Sequence, residues 1–125
     1  MYSQSVHITG VPYAQKKTKG NGTAPEIWSR AVVAQTSNLI KVRHPCLVRV
    51  TFRLPPNKFP TDHPYGPDLD NLLKRFFDAL IETVFSDAPG HDGVAVSIEA
   101  TKVKVPSESE SGADLEIIEI MKTPT

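Results

Sequence analysis

The chain has 125 residues, 39% hydrophobic and 22% charged, which is the size and balance of one globular domain able to bury roughly two thirds of its unfolded surface. No apolar run approaches the roughly 20 residues that span a bilayer, the opening Met-Tyr-Ser-Gln-Ser-Val-His-Ile lacks the basic start and apolar core of a secretory signal, and the single cysteine, Cys46, has no partner for an intrachain disulfide. A soluble protein in a reducing, cytoplasmic setting, with no membrane partner, is therefore expected. The net charge of zero hides a division: residues 1–60 carry nine Lys or Arg against one acid, Glu26, whereas residues 61–125 carry five bases and thirteen acids. A basic half suits a polyanionic partner; alternatively, the two halves pair with each other in the fold.

Val6 to Val11 reads as a short strand, followed by Pro12 and a polar loop, Gln15 to Gly22, that holds Lys16, Lys17 and Lys19. Thr23-Ala24-Pro25-Glu26 has the spacing of a capping box with Pro in the first turn, and predicts a helix from about Ala24 to Leu39. Its apolar residues Ile27, Trp28, Ala31, Ala34 and Leu39 recur at roughly helical spacing, with Val32 and Val33 off that stripe. From Cys46 to Leu54 the inward set Cys46, Val48, Val50, Phe52 and Leu54 alternates with Leu47, Arg49, Thr51 and Arg53, the pattern of a strand with a basic outer face.

A loop with four prolines, Pro55 to Gly66, leads to a helix from about Leu69 to Val84. Leu69, Leu72, Leu73, Phe76, Phe77, Leu80 and Ile81 form its apolar face, and Asp70, Asn71, Lys74, Arg75 and Asp78 its polar one. After a Gly, Pro and Asp loop from Ser86 to Gly93, the inward set Val94, Val96, Ile98 and Ala100 marks a strand to about Val105. Leu115 to Met121 is a last strand, expected as the hairpin partner of the one before. Residues 1–125 thus predict a single α+β domain, with two main helices packed on a small, mostly antiparallel sheet.

The chemistry concentrates at Pro67-Asp68-Leu69-Asp70-Asn71-Leu72-Leu73-Lys74. Asp68 and Asp70 are two residues apart at a helix mouth, where the unpaired N–H groups and the helix dipole favour ionised carboxylates. Lys74 lies one turn on, suitably placed to stabilise charge developing on a phosphate. Mg2+ takes oxygen ligands from one or two carboxylates plus substrate phosphates, and such ions activate water and neutralise the phosphate in phosphodiester hydrolysis. Mn2+ is the alternative ion. A third carboxylate is expected from the loop before the next strand, with Asp92 the first candidate and Asp87 the second. His91 is a candidate to position water or phosphate, and Asn71 is a second accessory candidate. The bland alternative is a capped helix with an ordinary Asp70–Lys74 surface pair. Arg49, Arg53, Lys16, Lys17 and Lys19 are candidate phosphate contacts of a DNA interface; the strand arginines alternatively pair with Glu99, Glu116 or Glu119 on neighbouring strands.

The octapeptide, continued by Phe77-Asp78-Ala79-Leu80, resembles the signature Asp-(Ile/Leu)-Asp-Asn-Leu-x-Lys with Asp-Ala-Leu of the RusA family of Holliday junction resolvases. The strand ending Thr101-Lys102-Val103-Lys104 is also similar, so the likeness covers about Asp68 to Val105. The resemblance implies a small homodimeric, Mg2+-dependent endonuclease that binds four-way DNA junctions and nicks two strands symmetrically in recombination and repair, typically of phage or prophage. Its catalytic acids would fall on Asp68, Asp70 and Asp92, and its essential lysine on Lys74. The third-acid loop departs from the family, which usually has two adjacent acids where this chain has Asp87-Ala88-Pro89-Gly90-His91-Asp92. Asp92 keeps the family's spacing to Lys102. A junction or duplex DNA-binding protein with impaired catalysis, and a small metal-dependent nucleotide phosphohydrolase, are the competing expectations.

Overall fold

A computed structural model of the chain describes residues 3–14, 23–58 and 67–120. In chain order these form β1 (Ser3–Thr9), α1 (Thr23–Thr36), β2 (Cys46–Leu54), α2 (Leu69–Leu80), β3 (Ala95–Lys104) and β4 (Gly112–Glu119), with short 3-10 turns at Pro56–Lys58, His91–Val94 and Glu108–Glu110. Among the described residues the strands make a four-stranded sheet in the order β1-β4-β2-β3, antiparallel along both sides of β4 and parallel between β2 and β3. This is the expected α+β class. The N-terminal loop with Lys16, Lys17 and Lys19 lies outside the described residues. No helix among the described residues is long and apolar enough to cross a membrane.

The expected hairpin of the last two strands does not form: β4 inserts between β1 and β2, and β3 is left at the edge. Inward chemistry accounts for the order. Ala113, Leu115 and Ile117 of β4 are buried, opposite Phe52, Val50 and Val48 of β2, so an apolar strand occupies the covered centre of the sheet. On β3 the register with Val48, Val50, Phe52 and Leu54 puts Ile98, Ala100, Lys102 and Lys104 on the inner face. Two lysines there suit an edge position, where their ammonium groups reach water.

Strand β2 buries the five alternate residues expected of it. In α1 the buried stripe is Trp28, Val32 and Thr36, at intervals of four, rather than one built on Ile27 and Ala34, which are exposed. The helix stops at Thr36 instead of Leu39. There the Thr36 hydroxyl donates to the Val32 carbonyl at 2.7 Å and meets the Thr83 hydroxyl at 2.8 Å, while Ser37 Oγ donates to the Ala34 carbonyl at 3.0 Å. Such side chains compete with continued helical hydrogen bonding. Helix α2 likewise ends at Leu80 rather than Val84, because Val84 and Phe85 are consecutive and both fully buried, which one helical face does not allow. Turns with i→i+3 bonds, Thr83 to Leu80, Ser86 to Thr83 and Ala88 to Phe85, carry the chain onward.

Where β4 begins against β1, Gly112 has φ +153°, and a Cβ there would collide with the Ile8 carbonyl oxygen and crowd Arg53. Gly112→Ala should therefore lower stability by about 1–3 kcal/mol, read as a shifted midpoint in urea with an unchanged slope.

Candidate active site

Asp68 occupies the N-cap of α2 with extended backbone, φ −63° and ψ 136°, and its carbonyl accepts the first helical bond from the Leu72 N–H at 3.0 Å. Its carboxylate caps nothing. Asp70, in the first turn, accepts the Asn71 N–H on Oδ1 at 3.0 Å. Both carboxylates and Lys74 are exposed, and among the described residues none of the three enters an ion pair. The Asp70–Lys74 surface pair is thus absent, and the three groups stay free for a ligand.

From β3, Lys102 reaches this helix mouth: its half-buried ammonium donates to the Pro67 carbonyl at 2.7 Å, one residue before Asp68. The sequence reading used Lys102 only to measure spacing. Its position in the alternation, on the same face as Ile98 and Ala100, is the signal that aims it inward toward α2. The contact ties the edge strand to the segment that presents the carboxylates.

The two candidates for the third carboxylate differ in electrostatic surroundings. Asp87 Oδ2 is held by Arg43 Nη2 at 3.1 Å, whereas Asp92, half-buried in the turn His91–Val94, has no cationic partner among the described residues. His91, with φ +53° after Gly90 at φ +70°, stands exposed on a left-handed turn that non-glycine residues seldom adopt. Among the described residues, no three of His, Cys, Asp and Glu gather into a metal-ligand group. The fold brings Asp68 and Asp70 side by side, and Asp92 does not complete a cage with them. Two exposed carboxylates with open positions fit a Mg2+ ion that keeps several waters and takes further oxygens from a substrate phosphate.

The outer face of the sheet is a separate region. Arg49 lies directly opposite Glu99 on one side and Glu116 on the other, donating from Nε at 2.8 Å and from Nη1 at 2.6 Å. Arg53 Nη2 lies 3.0 Å from His7 Nε2, its Nε lies 3.4 Å from Asp114 Oδ2, and His7 Nδ1 meets Asp114 Oδ1 at 2.6 Å. A depression of about 460 Å³ on this face is lined by Ser5, His7, Arg49, Thr51, Asp114 and Glu116 among others. Of the proposed DNA contacts, Arg49 and Arg53 are therefore already engaged by carboxylates of the same sheet. Comparison with models of protein families and with curated proteins finds no match.

The Arg49 hydrogen bond and charge hold the Glu99 carboxyl below the ordinary carboxylate range. A depressed folded value means that the pair's contribution is present above the unfolded carboxylate value of about 4.3 and is lost as pH falls through the folded one. Carboxyl NMR should show Glu99 titrating below the other exposed glutamates and returning to their range in Arg49→Ala; an unmoved midpoint in that variant would assign the shift elsewhere.

Proposed function

We propose that this protein is a metal-dependent, structure-selective DNA endonuclease of the RusA type, resolving four-way junctions as a homodimer with a pair of symmetric nicks. The observation that carries this reading is the unpaired trio at the mouth of α2: Asp68, Asp70 and Lys74 are exposed and free of internal partners, within a sequence that resembles the RusA signature from Pro67 to Leu80. A cation of the Mg2+ type would be held by Asp68 and Asp70, with Asp92 the favoured third ligand because Asp87 is committed to Arg43. Such an ion supplies charge neutralisation of the scissile phosphate and activation of water. Lys74 stabilises the charge that develops on the phosphate oxygens, and Lys102 fixes the backbone that carries Asp68. Lys16, Lys17 and Lys19 supply phosphate contacts that do not read sequence. The two-fold symmetry of a homodimer matches the near two-fold symmetry of the junction, so paired nicks follow from the assembly.

A second reading, a junction-binding protein with impaired catalysis, is favoured by one specific observation: among the described residues no three-ligand group forms. Incubation with a synthetic four-way junction separates the two. Endonuclease function requires Mg2+- or Mn2+-dependent nicks that Asp70→Asn abolishes; tight binding without nicks in either metal selects the second reading. Lys74→Ala should reduce cleavage about 100-fold or more while junction binding in a gel shift is kept, as expected for a group that acts on developing charge. Equal loss of both would make Lys74 a binding residue.

A further inference from the structure

Strand β3 is an edge strand, paired with β2 on one side only. Its two halves differ. Toward the C-terminal end the inner face carries Lys102 and Lys104, the inward charges by which edges resist pairing. Toward the N-terminal end the inner face is Val96, Ile98 and Ala100, with Val96 62% and Ile98 45% exposed, since the helices do not cover it. On the outer face of that half the one charged side chain, Glu99, is neutralised by Arg49. Apolar side chains beside an open row of backbone donors and acceptors form a template for another strand.

We propose that this half-edge is the interface of a two-fold homodimer, in which β3 of a second copy pairs antiparallel about Ile98 and the two sheets run on as one. The inference stands apart from the endonuclease reading, since it uses neither the metal site nor DNA. An axis normal to the sheet preserves its faces, so directly opposed residues must share a face and the axis must pass through a residue position. Centred on Ile98, the pairing sets Ile98 against itself and Val96 against Ala100, an all-apolar inner row, with Ser97 opposite Glu99 on the outer face. Centred on Glu99 it would oppose two carboxylates; centred on Ala100 it would set Val96 against Lys104 and Ile98 against Lys102. An axis at Ser97 pairs only Ala95 to Glu99, whereas the axis at Ile98 pairs Ala95 to Thr101. Charge agrees with the same register: carried past the strand end, it directs the basic Lys104 toward Asp92 of the second copy. That complementarity selects a second copy of this chain over an unrelated strand.

Light scattering on a sizing column and oxidative crosslinking test this. Wild-type protein should run at twice the chain mass, and Ile98→Lys should run as a monomer with unchanged circular dichroism. Ile98→Cys should form a disulfide-linked dimer under mild oxidation, because the axis opposes the residue to itself, and Ser97→Cys should not. The native Cys46 does not compete: it is fully buried, and its thiol is pushed up to about 11, chiefly by burial and then by Glu119. A monomeric wild type, or an Ile98→Lys dimer of unchanged mass, overturns the interface. Stronger crosslinking at Ser97→Cys than at Ile98→Cys overturns the register. Should Ile98→Lys fail to fold, the Ile98→Cys crosslink decides alone.

Discussion

The packing of Phe76 fixes where everything chemical in this protein stands. Its ring meets Phe52 of β2 edge-on at 5.4 Å between centroids and stacks with Trp28 of α1 at 6.3 Å, so one fully buried side chain joins the sheet to both helices. Aromatic pairs of this geometry add about 0.5–1.5 kcal/mol each beyond their buried area, and they restrict rotation of the helix about its axis. With Phe76 turned to the sheet, Leu72 and Leu80 also face inward at intervals of four, and Asp70, Lys74 and Asp78 are turned to solvent on the opposite side. The free carboxylates at the helix mouth are thus a consequence of a core contact rather than of anything in the mouth itself. Arg75 reinforces the clamp from the flank, donating to the Ala14 and Pro25 carbonyls and to Ser29 Oγ.

What could be read from the chain and what could not divides along the reach of the interactions. Strand β2 and the start of α2 were legible because alternation and an apolar stripe are local signals, written by the same residues that obey them. The place of β4 was not, since pairing depends on which surfaces the helices cover, and adjacency in sequence favoured the hairpin instead. Val96 and Ile98 share the alternation of β2 and read as core for that reason; period two gives a face, and only the tertiary arrangement says whether that face is covered. The ends of both helices were lost similarly. Thr36 and Thr83 close their turns against each other across the two helices, a contact separated by 47 positions in the chain.

The candidate site was legible as a short motif, and the structure altered the weight of its parts. An Asp at an N-cap ordinarily reads as a cap, yet Asp68 leaves its carboxylate free and Asp70 leaves Lys74 alone, so the bland reading loses its two supporting contacts. The choice between Asp87 and Asp92, open in the sequence, turns on Arg43, which lies far from both in the chain and reaches only Asp87. Lys102 emerged from the same kind of distant contact.

The opposed charges of the two halves have a concrete structural meaning. Each arginine–carboxylate pair among the described residues, Arg43 with Asp87, Arg49 with Glu99 and Glu116, and Arg53 with Asp114, joins a base from residues 1–60 to an acid from residues 61–125. Exposed pairs of this kind contribute little to stability, typically below about 1 kcal/mol each, but they consume the charge that composition alone assigned to a polyanion. The strand arginines therefore count for less as phosphate contacts than the sequence suggested. By the same accounting, Asp68, Asp70 and Lys74 gain significance: in a fold that pairs several of its opposite charges across the sheet, these three are held in the open at one helix end, where a dipole favours anions and a ligand is the partner still to be supplied.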